Sequence, residues 1–371
     1  MNTLGIKKQF YKNVIFLDWK WQIKNRLKGI SFLSSLGIIP EKQVEKFRTL
    51  LSSYHFATTP YYFSLCHEMD YSDPIFRQII PSLEEIEFRL PGSQLDPLAE
   101  KVYSVTPHLI HRYPDRVLII TTSLCASYCR HCNRKRFWST KPWVINKKEI
   151  EQIVFYIKRN KNIREVILSG GDPLFINQNY LEYILKKIRQ LQNVDVIRIG
   201  TRIPVVLPMR ITSSLGKMLR KYRPIWINTH FNHPYEITKE AKKAADILSL
   251  NGIAMANQTV LLKGVNDDLD ILSELFTRLE AMLIKPYYLF HCDCVQGTDH
   301  FRTSIKKGQE LISKLEGRIG GLCIPKFVVD LPNGAGKAPC GPNFLEKIDG
   351  DMAVFKTWEG KKFIYKGASG A

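Results

Sequence analysis

From about residue 115 to 332, short apolar and β-branched runs recur along the chain: "VLIITTS", "EVILSGG", "VIRIGT", "IWINTHF", "IAMANQTVLL", "PYYLFHCD" and "KFVVDLP". Amphipathic stretches separate them. Ile150, Ile153, Val154 and Ile157 fall at i, i+3, i+4 and i+7, and Tyr180, Leu181, Ile184, Leu185, Ile188 and Leu191 keep one stripe, the period of a helix with one buried face. Strands followed by single helices, repeated about six times, predict a parallel sheet with helices outside, either a TIM-type barrel or an open doubly wound sheet. Polar residues decide between these. Chemistry in parallel α/β folds gathers at the C-terminal ends of strands. Here Cys125 follows the first run, Gly170, Gly171 and Asp172 end the second, His230 the fourth, Asp293 the sixth and Asp330 the seventh. A single mouth collecting them fits a barrel, so the expected fold is α/β: a partial TIM-type (β/α)6 barrel with a helical N-terminal extension and a small C-terminal segment.

Three regions are expected. Residues 1–110 read as helical and irregular, with helices in "DWKWQIKNRLKGI" and, after Pro40, in "PEKQVEKFRTLL"; the Trp19 and Trp21 pair reads as packing. Residues 111–332 form the βα core. Residues 333–371 hold the glycine-rich "NGAGK", a hairpin in "MAVFKTWEGKKFIYKG" turning near Glu359 and Gly360, and a tail, "GASGA", expected to be disordered.

Composition narrows the function classes. A chain of 371 residues, 44% hydrophobic and 24% charged, is ordinary globular material. The first twenty residues hold only "VIFL" as an unbroken apolar run, short of a signal-peptide core or a membrane span, so a cytoplasmic protein without a membrane partner is expected. The net charge of +19 invites a nucleic-acid reading. The basic residues are spread through "GIKKQFYKN", "KRNKNIR", "LRKYR", "EAKKA" and "EGKKFIYKG", however, which favours a solvated basic surface that would attract an acidic partner protein. Eight cysteines are too few for a disulfide scaffold in a chain of this length.

Three of those cysteines lie in "LCASYCRHCNRKRF" as Cx3CxxC: Cys125, Cys129 and Cys132. Three thiolates on one loop suit zinc or an iron–sulfur cluster. Zinc would need a fourth ligand such as His131, which lies between two of the cysteines, in poor position to close their tetrahedron. A cubane tolerates three thiolates and leaves one iron open. Following the first strand of a βα repeat, with a glycine pair at the next strand end, this motif resembles the radical S-adenosylmethionine superfamily. With "ILSGGDPL", "NTHFNHP", "NQTVLLKGVND", "CDCVQGTDHFRT", "FVVDLPNGAGK", "HRYPDRVL" and "TPYYFSL", the chain resembles the lysine 2,3-aminomutase family over most of residues 15 to 345.

The resemblance implies a [4Fe-4S] cluster on Cys125, Cys129 and Cys132, its unique iron chelated by S-adenosylmethionine. It implies a cosubstrate pocket from Ser169, Gly170, Gly171, Asp172, His230 and Gln258. A Schiff base with pyridoxal 5'-phosphate requires a lysine; the resemblance gives that role to Lys337, with Arg112, Tyr113 and Arg116 near the phosphate. Asp293 and Asp330, at adjacent strand ends, would repel each other unless a cation lay between them, and a substrate ammonium would be that cation. Arg134 can hold a carboxylate by a bidentate pair. An amino acid with a carboxylate at one end and an ammonium at the other is L-lysine; a glutamate-using relative should carry a neutral or cationic residue at one of the two aspartate positions.

The expected activity is therefore an isomerase moving the α-amino group of L-lysine to the β-carbon to give β-lysine, with a flavodoxin or ferredoxin as electron donor and homo-oligomeric assembly open. A rival is an enzyme of the same chemistry serving elongation factor P; a farther one is a non-catalytic metal-binding module for nucleic acid, which would show no cleavage of S-adenosylmethionine. Longer family members use extra C-terminal cysteines for a structural zinc. With no cysteine after Cys340 and "VNDDLD" in the corresponding central stretch, no such zinc is expected, and Cys66, Cys292, Cys294, Cys323 and Cys340 read as small buried hydrophobes.

Overall fold

The structure is a computed structural model describing residues 14–367. One sheet of ten strands dominates it. In chain order its strands are β1 (Ser104–Thr106), β2 (Leu109–Tyr113), β3 (Arg116–Thr122), β4 (Glu165–Gly170), β5 (Val196–Gly200), β6 (Ile225–Thr229), β7 (Ala254–Leu261), β8 (Ile284–His291), β9 (Lys326–Leu331) and β10 (Gly336–Pro339). Strands β3 to β9 are parallel and neighbours in space as in sequence; β1, β2 and β10 join antiparallel.

Each of the six crossovers between parallel strands carries a helix: α1 (Lys147–Arg159), α2 (Gln178–Arg189), α3 (Ser213–Arg220), α4 (Lys239–Leu250), α5 (Leu269–Glu280) and α6 (Ile305–Leu315). Their starts are written locally. Asn146 and Glu149 form a capping box, and Asn177, Thr212, Thr238, Asp268 and Ser304 each cap a first turn with a side-chain oxygen. The predicted stripes are the buried faces, with Ile150, Ile153 and Ile157 of α1 and Leu181, Ile184, Leu185 and Ile188 of α2 fully covered, each worth about 1.5–3 kcal/mol of apolar burial.

The sheet does not close, since β1 and β10 are its edges. It curls until the edges approach: a Cβ on Gly336 would stand 3.7 Å from Arg112 Nη2 of β2. This is the partial barrel that the strand ends implied. Alternation along the strands separates two environments. Val166, Leu168, Ile197, Ile199, Ile227 and Leu289 are buried, while the intervening Ile167, Ser169, Arg198, Asn228, Tyr288 and Phe290 line an interior cavity. The sheet takes in residues on both sides of the 111–332 span.

The N-terminal region is broken more finely than its pattern suggested. "DWKWQIKNRLKGI" forms a helix over Trp19–Lys24, then a short strand, Leu27–Lys28, pairing with Ala57–Thr58, and ends at the start of another helix, Gly29–Ser35. The second predicted helix begins as a 3-10 turn and runs α-helical over Val44–Ser53. Trp19 and Trp21 pack against the core, Trp21 6.1 Å from the Phe16 ring and Trp19 under the Arg210 guanidinium at 4.8 Å. At the other end, β11 (Leu345–Asp349), β12 (Met352–Lys356) and β13 (Lys362–Lys366) make a separate antiparallel sheet that includes the expected hairpin; the expected disordered tail falls on residues 368–371, outside the described residues.

Candidate active site

The cavity inside the curled sheet has a volume of about 500 Å³, and every residue singled out from the sequence lines it: Arg112, Tyr113, Arg116, Cys125, Cys129, Cys132, Arg134, Ser169, Gly170, Gly171, Asp172, His230, Gln258, Asp293, Asp330 and Lys337. The strand ends bring them there, as in other parallel α/β sites.

The cysteine loop leaves the end of β3 and is pinned on several sides. The Gly171 amide bonds the Thr122 carbonyl, and the Asp172 amide bonds Leu124 O at 2.8 Å, one residue before Cys125. Arg26 Nη1 donates to Cys125 O at 2.9 Å. Within the loop, Arg130 and Lys135 both reach Glu85, at 2.6 and 2.7 Å, and all three side chains are fully buried. Burial alone would raise the Glu85 carboxyl, but the two cations hold it at about 2; burial beside Arg130 brings the Lys135 ammonium down to about 8.

Two cysteine sulfurs already accept hydrogen bonds, Cys129 Sγ from Arg202 Nη1 at 2.8 Å and Cys132 Sγ from the Arg134 amide at 3.3 Å. Such donors suit thiolates bound to iron. Arg202 also joins the loop to the rest of the fold, bonding Tyr62, Gln78 and Glu236 through Nη2 and His230 O through Nε.

Asp172 lines the cavity but is largely committed within the fold. Its carboxylate accepts Thr201 Oγ1 at 2.6 Å and the amides of Leu174 and Arg202 at 3.0 and 2.8 Å. It serves as a bracket between strand ends, leaving little capacity for a ligand's ammonium. Burial lifts its carboxyl to about 6 against those bonds. Burial, and then the nearby Arg202 charge, lower His230 to about 4, so it is a neutral imidazole in this wall.

Arg134 also has a partner that the sequence did not disclose. Its Nε and Nη2 hold the buried Glu100 carboxylate at 3.0 and 2.6 Å, and Nη1 reaches Ser169 Oγ at 3.1 Å. Of five guanidinium hydrogens, one on Nη1 and one on Nη2 stay uncommitted and are open to a carboxylate. Arg136 bonds the same Glu100.

Asp293 and Asp330 come from the ends of adjacent strands, β8 and β9. Lys337 faces Asp330 across the β9–β10 pair, its Nζ 2.8 Å from Oδ1 and 5.0 Å from the Phe290 ring centroid. Asp293 accepts Asn133 Nδ2 at 3.1 Å. Burial and then the Asp330 charge push the Asp293 carboxyl up to about 7. At the β2 edge, the Arg112 and Arg116 guanidiniums lie 5.1 and 3.9 Å from the Tyr113 ring, and Arg112 Nη2 is buried without a hydrogen-bond partner. An orphan donor of that kind fits a phosphate oxygen.

Glu100, Asn133 and Arg202 are the site residues that sequence reading missed. Asn133 alone carried a signal, since it sits inside the cysteine loop; Glu100 and Arg202 arrive from distant segments. Among the remaining cysteines, Cys66, Cys292 and Cys323 are buried, whereas Cys294 and Cys340 are only half-buried. No helix among the described residues is long and apolar enough to cross a membrane.

Comparison with known proteins gives this geometry its family. A model of the Radical SAM superfamily matches residues 119–275, and a model named for lysine-2,3-aminomutase matches residues 312–369. The L-lysine 2,3-aminomutase of Fusobacterium nucleatum is 43% identical over 97% of this chain and 85% of its own length. The chain belongs to the lysine 2,3-aminomutase family. It is a radical S-adenosylmethionine enzyme of the isomerase class, with a [4Fe-4S] cluster and S-adenosylmethionine as its cofactors. The L-lysine 2,3-aminomutase of Clostridium subterminale is 42% identical over 92% of this chain and 82% of its own. The glutamate 2,3-aminomutase of Clostridioides difficile is 40% identical over 93% of this chain and 82% of its own. Among solved structures, a radical SAM methyltransferase from Sphaerobacter thermophilus aligns with a TM-score of 0.44 and 16% identity, covering 84% of this chain and 95% of that one.

Proposed function

We propose that this enzyme moves the α-amino group of L-lysine to the β-carbon, giving β-lysine, with pyridoxal 5'-phosphate carried on Lys337. The observation that carries the reading is the ammonium of Lys337 held by Asp330 beside Asp293, all three lining the cavity. A carboxylate pair of which one member already accepts a primary ammonium suits the far end of lysine, and would repel the far carboxylate of glutamate. That distinction matters because relatives acting on either amino acid are similarly close in sequence.

The residues divide the work. Cys125, Cys129 and Cys132 hold the cluster, with Arg202 fixing the Cys129 sulfur. Ser169, Gly170, Gly171, His230 and Gln258 form the wall for S-adenosylmethionine, and Asp172 braces that wall. Arg112, Tyr113 and Arg116 take the phosphate, the buried Nη2 of Arg112 gaining its missing partner. The uncommitted hydrogens of Arg134 take the substrate carboxylate, and Asp293 with Asp330 takes the terminal ammonium, so the carbon skeleton is held at both ends. When bound, the cluster with S-adenosylmethionine supplies hydrogen abstraction by a carbon radical, and pyridoxal phosphate supplies the carbonyl that carries the migrating nitrogen. The curled sheet keeps these steps away from water. The proposal includes a cytoplasmic location, assembly into a homo-oligomer, and electron delivery by a flavodoxin or ferredoxin, toward which a net charge of +19 is attractive.

The test is anaerobic. Protein reconstituted with iron and sulfide, then given pyridoxal phosphate, S-adenosylmethionine, a reductant and either L-lysine or L-glutamate, should yield β-lysine and leave glutamate unchanged. Turnover of glutamate in preference to lysine would overturn the substrate assignment, and lysine turnover without added or bound pyridoxal phosphate would overturn the cofactor.

A further inference from the structure

We propose that Asn133 is a specificity-determining residue, a neutral donor that orients Asp293 while leaving its negative charge free for the terminal ammonium of lysine. The proposal rests on the reading of Asp293 and Asp330 as the ammonium site. Asn133 lies directly between Cys132, a cluster ligand, and Arg134, whose uncommitted hydrogens are open to the substrate carboxylate. Its Nδ2 stands 3.1 Å from Asp293 Oδ2, and both residues line the cavity. One loop therefore sets both ends of the substrate site: Asn133 fixes the carboxylate that meets the ammonium, and Arg134 meets the carboxylate.

The chemistry of the donor matters as much as its position. Asp330 has a cation of the protein's own, Lys337, at 2.8 Å. The Asp293 carboxylate is bonded instead by the Asn133 amide, which takes one oxygen without cancelling the charge. A lysine or arginine in place of Asn133 would neutralise Asp293 and occupy the position that the substrate ammonium needs. An apolar residue would leave a buried carboxylate short of a donor, free to rotate away and costlier to keep ionised. Discrimination between a substrate with a terminal ammonium and one without is thus set partly by a residue that does not touch the reacting atoms.

The experiment compares Asn133→Ala, Asn133→Lys and wild-type holoenzyme in lysine turnover and in inhibition by norleucine, which has lysine's carbon chain without the terminal ammonium. The expected result is a KM for lysine raised about tenfold in Asn133→Ala and further in Asn133→Lys, with kcat falling much less than KM rises. The inhibition constant of norleucine should move by less than about twofold, because that ligand makes no ion pair with Asp293. A merely structural role would weaken both ligands together, and that outcome overturns the proposal, as does a lysine KM unmoved in both variants. Wild-type protein that neither binds nor rearranges lysine would instead sink the ammonium-site reading itself.

Discussion

Asp330 and Lys337 face each other across an antiparallel pair at the sheet edge, and the lysine ammonium sits 2.8 Å from the carboxylate. The protein thus places its own ammonium where the substrate's terminal ammonium is proposed to bind. Lys337→Ala should abolish rearrangement while reductive cleavage of S-adenosylmethionine survives. The same variant, with Asp330 released, should bind L-lysine at least as tightly as wild-type protein stripped of pyridoxal phosphate, by calorimetry. Rearrangement surviving at the wild-type rate would remove Lys337 from the chemistry.

The Asp293 carboxyl, raised to about 7 by burial and the neighbouring Asp330 charge, makes lysine binding depend on pH. A protonated Asp293 cannot pair with an ammonium, and the lysine side chain stays charged up to about pH 10. Affinity for lysine should therefore fall as pH drops below about 7, by up to about tenfold per pH unit. The stability contribution has the opposite sign. The folded protein holds a proton on Asp293 that the unfolded chain, with a carboxyl near 3.9, has already released. That contribution is full below about pH 4 and is lost as pH rises through about 7. Asp293→Asn should flatten the pH dependence of lysine KM between about pH 6 and 8.

Glu100 is buried between two guanidiniums, with burial opposing its ionisation and Arg134 and Arg136 holding its carboxyl at about 2. Arg136 has a second acid at hand, Asp96 at 3.4 Å, so Arg134 depends on Glu100 more. Glu100→Gln keeps the shape and removes the charge. Stability should drop by about 3–5 kcal/mol, the cost of stranding a buried cation, read from denaturant unfolding of the apoprotein. Lysine KM should rise with it, because Arg134 loses the carboxylate that fixes its orientation.

The cysteine loop can be tested at Gly171. A Cβ there would overlap the Leu124 carbonyl oxygen and stand 2.7 Å from Ser123 C, both backbone atoms that cannot swing aside. Gly171→Ala should destabilise the apoprotein by about 2 kcal/mol or more and lower the iron bound per chain after reconstitution. Gly320→Ala, where nothing lies within 4 Å of the added carbon, should stay within about 0.5 kcal/mol of wild type and load iron normally.

The periodic residues were legible one element at a time. Short apolar, β-branched runs and a period-3.6 stripe placed β3 to β9 and the helices α1 and α2, because both are local properties of a strand and a helix. The N-terminal region read less well. "DWKWQIKNRLKGI" has helical propensity throughout, yet after Lys24 the chain turns to pair Leu27–Lys28 with Ala57–Thr58, and a contact formed 30 residues away leaves no local periodicity.

By itself the sequence determined which groups the cavity would gather: three thiols at a fixed spacing, two aspartates at adjacent strand ends, a lysine on a glycine-rich loop, and an arginine two residues after the third cysteine. Parallel βα repeats force strand ends to one side, so those groups had to share a mouth. Only the tertiary structure decided how they are tuned. Which carboxylate braces a wall, as Asp172 does, and which guanidinium has hydrogens left free, as Arg134 does, depends on partners such as Thr201 and Glu100 that reach the site through the folding of distant segments. Hydrogen-bond capacity is spent in space rather than along the chain, and its balance exists only once the sheet has curled.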